Sequence, residues 1–309
     1  MAAPTRPLRL PRAAIVAAIR RAPERFQREG MTDVAAALTY FAVFSIFPAL
    51  IALVSILGFV GDSATGPLLD SLRASPGQVG DLLTGVVTTA AEGGGGRAFV
   101  LGLGIALWSA SGYVGAFGRA SNRIFGVREG RPFWKLRPGQ LALTAALLVL
   151  VALAATASVV SGPIARELGD IAGLGAQTAR TWDRLKIPGI LVVSWIVITL
   201  LMSVTPNVRL PSIRWVMPGS LVALLAWVAA SSLLGIYFAE WASYDRTYGA
   251  LAGVIAFLFW LWVSNVILLF GQTINAELEW ERQKLAGETA RDGSLAPTPK
   301  QTPAHRPGG

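Results

Sequence analysis

The stretch TYGALAGVIAFLFWLWVSNVILLFGQTINA, residues 247–276, decides the fold class of this 309-residue chain. It contains no aspartate, glutamate, lysine or arginine, and it exceeds the roughly 20 apolar residues that a helix needs to cross a bilayer. Its apolar residues are continuous, whereas a transmembrane β-strand alternates apolar and polar positions over about 10 residues. The stretch therefore predicts a membrane-spanning α-helix.

Five further runs lack acidic and basic residues over a comparable length. These runs are Val34–Val60, Ala98–Gly118, Leu141–Ile164, Ile187–Val208 and Trp215–Ala239, with Thr247–Ala276 as the sixth. Pro48 lies inside the first run and removes one backbone hydrogen bond, so we expect a bend there. Only 15% of the residues are charged, against about 25% in soluble domains. The sequence predicts an all-α integral membrane protein with a six-span helical bundle.

The basic residues lie mainly on one side of this predicted bundle. Most of the 27 lysines and arginines fall in the N-terminal segment, the second and fourth loops and the C-terminal tail. Because loops rich in lysine and arginine stay in the cytoplasm, both termini are expected to be cytoplasmic. The net charge of +9 predicts contact with anionic lipid headgroups at that face, and nucleic acid is not an expected partner.

The N-terminal segment is expected to form a short basic helix. Ile15, Ile19, Ala22 and Phe26 line one side of it, which is the pattern of an interfacial helix lying on a membrane. Pro23 is expected to break or bend this helix.

Helical patterns also occur between the spans. The outer loop Pro76–Glu92 predicts an amphipathic helix, and Ile164–Leu185 shows a weaker form of the same pattern. The composition of residues 287–309 predicts a disordered tail. We divide the chain into a basic segment at 1–33, a membrane domain at 34–276, and a helix extension with its tail at 277–309.

The residue inventory does not predict an enzyme. The chain has no cysteine and a single histidine, His305, so a zinc site or a Ser-His-Asp triad has almost no ligands or bases to draw on. No span holds a carboxylate pair that could move protons or bind a metal. We predict no catalytic residues, no metal and no cofactor.

Polar and aromatic residues inside the spans, together with Asn122 just after the second span, are the candidates for function. Those inside the spans are Tyr40, Ser45, Pro48, Trp108, Ser111, Asn265 and Asn275. One interpretation places Tyr40, Trp108, Ser111, Asn265 and Asn275 along a substrate path between the first, second and sixth spans. The alternative is interhelical hydrogen bonding, because polar groups in an apolar environment need partners on neighbouring helices.

A second group of candidates surrounds the fifth outer loop. It comprises Tyr237, Tyr244, Tyr248 and Gly249. Tyrosines at a membrane face are usually interface anchors, and Gly249 permits a positive φ or a close backbone approach. We predict that Tyr244–Ala250 forms a short ordered turn docked on the bundle.

Short motifs are distributed along most of the chain. They are 37–41 (ALTYF), 44–48 (FSIFP), 108–112 (WSASG), Asn122, 131–135 (RPFWK), Pro206-Asn207, Pro218-Gly219, Trp227, Tyr244 with 248–250 (YGA), 260–262 (WLW) and 271–277 (GQTINAE). Taken in order, these motifs resemble those of the YihY/virulence factor BrkB family. The resemblance covers roughly residues 20–285. The family's usual Gly-Ala-Glu step reads Gly271-Gln272-Thr273 here, so no carboxylate role is expected at that step.

The resemblance implies a six-span protein of the bacterial inner membrane. Members once carried the label ribonuclease BN, but this sequence lacks the histidine and carboxylate cluster that a metal-dependent nuclease needs. Family associations with envelope integrity and virulence point to the handling of an envelope component, by analogy. The leading hypothesis is a transporter, exporter or flippase-like protein for a lipid or envelope component. The alternative is a scaffold for envelope or division machinery, and further expected partners are a second copy or envelope proteins.

Overall fold

The computed structural model describes residues 10–60, 96–159, 177–240 and 250–286, and helices form nearly all of these. In chain order they are α1 (Arg12–Arg28), α2 (Met31–Val60), α3 (Gly96–Phe125), α4 (Phe133–Val159), α5 (Gln177–Val204), α6 (Met217–Glu240) and α7 (Ala250–Leu285). A short 3-10 turn, Ile213–Trp215, precedes α6. The all-helical fold class predicted from the charge-free runs is confirmed.

Among the described residues, four helical segments are long and apolar enough to cross a membrane. They are Phe133–Ala155, Arg184–Val204, Met217–Tyr237 and Gly253–Leu285. Helices α2 and α3 lie at the positions of the first two predicted spans, and the apolar part of α2 at Met31–Ile46 is shorter. The count of six spans stays a prediction.

Proline has different effects at different places in these helices. Helix α5 ends at Val204 and not at the predicted Val208, because Pro206 lacks an N–H and disfavours helical geometry in the residue before it. Helix α1 is continuous through Pro23, so the predicted break does not occur. Pro23 has no N–H to donate to the carbonyl of Ile19. Because Ile19 is exposed, that oxygen can accept a hydrogen bond from the surroundings.

The chain divides into two compact units. The first comprises residues 1–43, 113–140 and 198–309, and the second comprises residues 44–112 and 141–197. Within the first unit, α7 packs against both α1 and α6. Ala18 and Ala22 of α1 form a buried apolar cluster with Ile274 and Leu278 of α7.

The face of α1 that contacts protein differs from the predicted apolar face. Ala22 and Phe26 are buried as part of this face, but Ile15 and Ile19 are 36% and 48% exposed. Alanines such as Ala18 take their place, because small side chains let two helices approach closely. The four residues thus lie on one side of a continuous helix as predicted, with two of them against α7 and two exposed, and the membrane-surface location stays a prediction.

Several predicted features lie outside the described residues. These are the loop helix Pro76–Glu92, the turn residues Tyr244, Tyr248 and Gly249, and the tail at 287–309. Of the weaker pattern at Ile164–Leu185, the described part begins at Gln177 and forms the start of α5.

Candidate functional site

The first unit holds a charge cluster between α1 and α7, formed by Arg21, Arg25, Glu277, Trp280 and Glu281. Arg21 and Arg25 are four residues apart, and so are Glu277 and Glu281. The two members of each pair therefore lie on one face of their helix. Arg25 Nη1 donates to Glu277 Oε1 at 2.8 Å, and Arg21 Nε donates to Glu277 Oε2 at 3.0 Å. Arg21 also donates to Glu281. The two helices are therefore joined by a network of ion pairs.

Arg25 is the buried centre of this cluster, with 6% of its surface exposed. Its Nη2 donates to the carbonyl of Ile124 at 2.7 Å, in the last turn of α3, where helix carbonyls lack partners and favour cations. Its guanidinium lies 4.5 Å from the ring centroid of Trp280, a cation–π distance. One side chain thus connects α1, α3 and α7.

Arg21 lies at the edge of the cluster, and its side chain is 44% exposed. Burial by itself lowers the pKa of its guanidinium. The hydrogen bonds to Glu277 and Glu281 outweigh that effect and raise the pKa above its ordinary value. The guanidinium stays charged, so Arg21 is a permanent cation beside the end of α7.

A second network of hydrogen bonds and ion pairs stabilises the loop between α3 and α4, and Glu129 is its centre. Arg131 donates from Nε to Glu129 Oε1 at 2.8 Å and from Nη2 to Oε2 at 2.7 Å, a bidentate pair. Asn122 Nδ2 donates to Glu129 at 3.0 Å, and Arg131 Nη2 donates to the carbonyl of Thr205 at 2.7 Å. The backbone N–H of Asn207 donates to Asn122 Oδ1 at 2.7 Å. The segment after α5 is thereby fixed against this loop.

We expect this loop network to weaken at acid pH. Burial alone raises the pKa of the Glu129 carboxyl, but hydrogen bonds from Arg131 and Asn122 outweigh burial and lower it. A depressed pKa contributes stability above the ordinary glutamate value of about 4.3, and that contribution is lost as the pH falls through the folded-state pKa. Thermal unfolding from pH 7 to pH 3 should show a steeper loss for the wild type than for Glu129→Gln. Parallel curves would contradict this expectation.

Helices α6 and α7 cross in close contact at two glycines. Gly219 and Gly271 face each other, and a Cβ built on Gly271 would lie 2.5 Å from the carbonyl oxygen of Gly219. Asn275 Oδ1 accepts the N–H of Gly219 at 2.9 Å, and Gln272 Nε2 donates to the carbonyl of Met202 at 3.1 Å. Polar side chains and small residues together hold α5, α6 and α7 in contact.

Asn265 joins the middle of α7 to two other helices. The hydroxyl of Tyr113 donates to Asn265 Oδ1 at 2.8 Å, and Asn265 Nδ2 donates to Thr39 Oγ1 at 3.2 Å. Asn265 and Asn275 are each 2% exposed. Their contacts are those that interhelical hydrogen bonding requires, and their role in a substrate path stays a prediction.

The remaining candidates fall into exposed and buried groups. Tyr40 in the first unit and Trp108 in the second are 60% and 49% exposed. Tyr237 is 44% exposed, and its role as an interface anchor stays a prediction. Ser45 and Ser111 are buried, and the Ser111 hydroxyl donates to the carbonyl of Trp108 at 2.6 Å.

Pro48 is half-buried within the continuous helix α2. Among the described residues, no group of three or more acidic or histidine side chains is placed to hold a metal ion.

Sequence reasoning missed Arg25 and Glu129 as network centres. The four-residue spacing of Arg21 with Arg25 and of Glu277 with Glu281 was the signal for the first.

The apolar helices, their interhelical polar contacts and the charged ends define the class of protein: a multi-pass α-helical membrane protein. Comparison with known families identifies it further. The family model described as Virulence factor BrkB matches residues 22–295, so the chain belongs to this family, and the resemblance predicted from the motifs is confirmed.

Individual relatives agree with this assignment. The chain is 30% identical to YfkH of Bacillus subtilis, whose name calls it ribonuclease-like, over 82% of this chain and 91% of that protein. It is 31% identical to a UPF0761 membrane protein of Rhodospirillum centenum, over 90% of this chain and 61% of the relative. A UPF0761 membrane protein of Pseudomonas aeruginosa is 26% identical over 84% of this chain and 63% of the relative. The chain thus spans less than two thirds of these last two relatives, and no solved structure matches it.

Proposed function

We propose that the protein is a transporter or flippase-like handler of a lipid or envelope component in a bacterial inner membrane, with both termini in the cytoplasm. One observation carries this proposal. Tyr40 is 60% exposed on a helix of apolar composition, and the next residue, Phe41, lies under the exposed guanidinium of Arg119 at 5.4 Å.

This arrangement fits an amphipathic anionic substrate. The ring of Tyr40 lies 5.8 Å from that of Phe41, so apolar aromatic surface and a phenol hydroxyl are presented together. Arg119 supplies a planar cation that matches phosphate or carboxylate groups. A lipid, or a lipid-linked envelope precursor, combines the acyl chain and the anionic group that these side chains suit.

The proposal is tested with purified protein in vesicles that contain fluorescent phosphatidylglycerol, scored by chemical bleaching of the outer leaflet. We expect Arg119→Gln to slow lipid movement about tenfold, because a hydrogen bond to a charged group contributes about 1.5–3 kcal/mol and a tenfold change corresponds to about 1.4 kcal/mol. Tyr40→Ala should lower the rate in the same direction.

Leu225→Ala is the matched control, because Leu225 is 61% exposed on a helix of the same unit and offers no polar group. Its rate should equal that of the wild type. If the wild-type protein moves neither phosphatidylglycerol nor a lipid-linked precursor under any ion gradient, the transport proposal fails.

A specific observation favours the second candidate, a membrane scaffold for envelope or division machinery. The polar side chains of α7 at Asn265, Gln272 and Asn275 are all buried and bonded to neighbouring helices, which stiffens the bundle. If the protein is a scaffold, the Tyr40→Ala/Arg119→Gln variant should restore the wild-type phenotype when it is present at normal membrane levels in a deletion strain. Failure to restore the wild-type phenotype at those levels supports transport.

A further inference from the structure

Helix α1 carries a second apolar surface beside the one that contacts α7. Ile15, Val16 and Ile19 are 36%, 54% and 48% exposed, and at helical spacing they lie on one side. Arg12 and Arg20 flank them and are also exposed. We name these five residues the outer stripe of α1. In the part of the chain that the structure describes, the side chains of Arg12 and Arg20 make no hydrogen bond or ion pair.

The position of α1 along α7 gives the level of the outer stripe. Ala18 and Ala22 pack with Ile274 and Leu278, and the ring of Phe26 contacts that of Phe270 edge-on at 5.8 Å. The charge-free run of α7 ends at Ala276. Helix α1 therefore lies where this span leaves the apolar region, which is the level of the lipid headgroups.

We infer that the outer stripe is a binding surface for anionic phospholipid. Ile15, Val16 and Ile19 insert at the boundary between headgroups and acyl chains, and the guanidinium groups of Arg12 and Arg20 bind headgroup phosphates. This is how amphipathic helices with flanking arginines bind a membrane surface. The inference does not depend on whether the protein moves a substrate.

Charge complementarity selects a lipid surface as the occupant. Two other arginines of α1, Arg21 and Arg25, are paired with Glu277 and Glu281. Arg20 lies four residues from Glu24, but neither Arg20 nor Arg12 forms an ion pair within the described residues. A charged guanidinium needs a partner when its apolar neighbours are desolvated. A planar guanidinium binds phosphate in a bidentate manner, and an anionic leaflet supplies phosphate and acyl chains together.

The chain contains no cysteine, so single-cysteine variants give clean labelling. We propose to attach an environment-sensitive NBD fluorophore to Val16→Cys and Ile19→Cys in the full chain, in nanodiscs of phosphatidylcholine alone or mixed equally with phosphatidylglycerol. Ala13→Cys is the control, because Ala13 is exposed on a different side of the same helix from Ile15 and Ile19. We expect quenching by nitroxide lipids at positions 16 and 19, stronger with phosphatidylglycerol, and quenching by aqueous iodide at position 13.

The role of the arginines is tested by titrating detergent-solubilised Ile19→Cys, labelled with NBD, with short-chain phosphatidylglycerol. Each of Arg12→Gln and Arg20→Gln should weaken the apparent Kd about fivefold, as expected for one basic residue at an anionic surface. Short-chain phosphatidylcholine should bind equally weakly before and after these changes.

Two results would overturn the inference. One is iodide quenching at positions 16 and 19 as complete as at position 13 in both nanodiscs, which would mean that the outer stripe faces water. The other is an equal response to phosphatidylglycerol and phosphatidylcholine, which would remove the anionic selectivity. An unchanged elution profile in size-exclusion chromatography confirms that each labelled variant is folded.

Discussion

Gly219→Ala is expected to lower the stability of the protein by about 3 kcal/mol or more, although it adds only one methyl group. The new Cβ would overlap the carbonyl oxygen of Gly271 and the side-chain oxygen of Asn275. Overpacking in a well-packed region costs about 1–3 kcal/mol, and here one obstacle is backbone, which cannot rotate away. The hydrogen bond from the Gly219 N–H to Asn275 would be stretched as the helices separate.

Gly235→Ala is the matched control, because it makes the same change in the same helix. A Cβ on Gly235 meets no described atom within 4 Å, so the substitution should be neutral or slightly stabilising, since alanine favours the helix over glycine. Unfolding in SDS, together with accumulation in the membrane, measures both variants. Equal stability of the two would show that α6 and α7 do not approach each other as closely at Gly219 as the structure has them.

The helices at the charge-free runs could be predicted from local sequence. The start of α7 at Ala250 is within three residues of the predicted Thr247, because a charge-free run of this length has few alternatives to a membrane helix. The continuation of α7 to Leu285 was harder to place. Five of its seven residues from Glu277 to Gln283 are charged or polar and yet buried, and their burial depends on partners elsewhere in the chain.

The candidate site was predictable only where a polar residue interrupts an apolar run. Asn265 and Asn275 were found in this way, but their partners Thr39 and Gly219 lie on other helices. The contact between Arg25 and Glu277 joins residues 252 positions apart, and no local pattern encodes such a pairing. For α1, hydrophobicity favoured Ile15 and Ile19, whereas close packing selects the smaller alanines.

Glu277→Gln is expected to be the most damaging change in the charge cluster, with a loss of about 3–5 kcal/mol. Removing one partner of a buried ion pair leaves the other charge uncompensated, and this desolvated charge is the source of the cost. Arg25 is 6% exposed, and after the change the carbonyl of Ile124, the ring of Trp280 and a neutral amide would face it with no negative charge to balance its own. Glu281→Gln should cost about 0–1 kcal/mol, because its partner Arg21 is 44% exposed and keeps Glu277.

The double variant Arg25→Met/Glu277→Met separates the cost of an unpaired charge from the value of the pair itself. Apolar replacements of a buried ion pair are often neutral or stabilising, so the double variant should recover most of the loss seen in Glu277→Gln. Recovery would be incomplete because the carbonyl of Ile124 loses its donor, which costs about 1–3 kcal/mol when a buried group is left unsatisfied. SDS unfolding of the three variants gives the comparison. If the double variant is no more stable than Glu277→Gln, then the loss comes from packing at the α1–α7 contact and not from the stranded charge of Arg25.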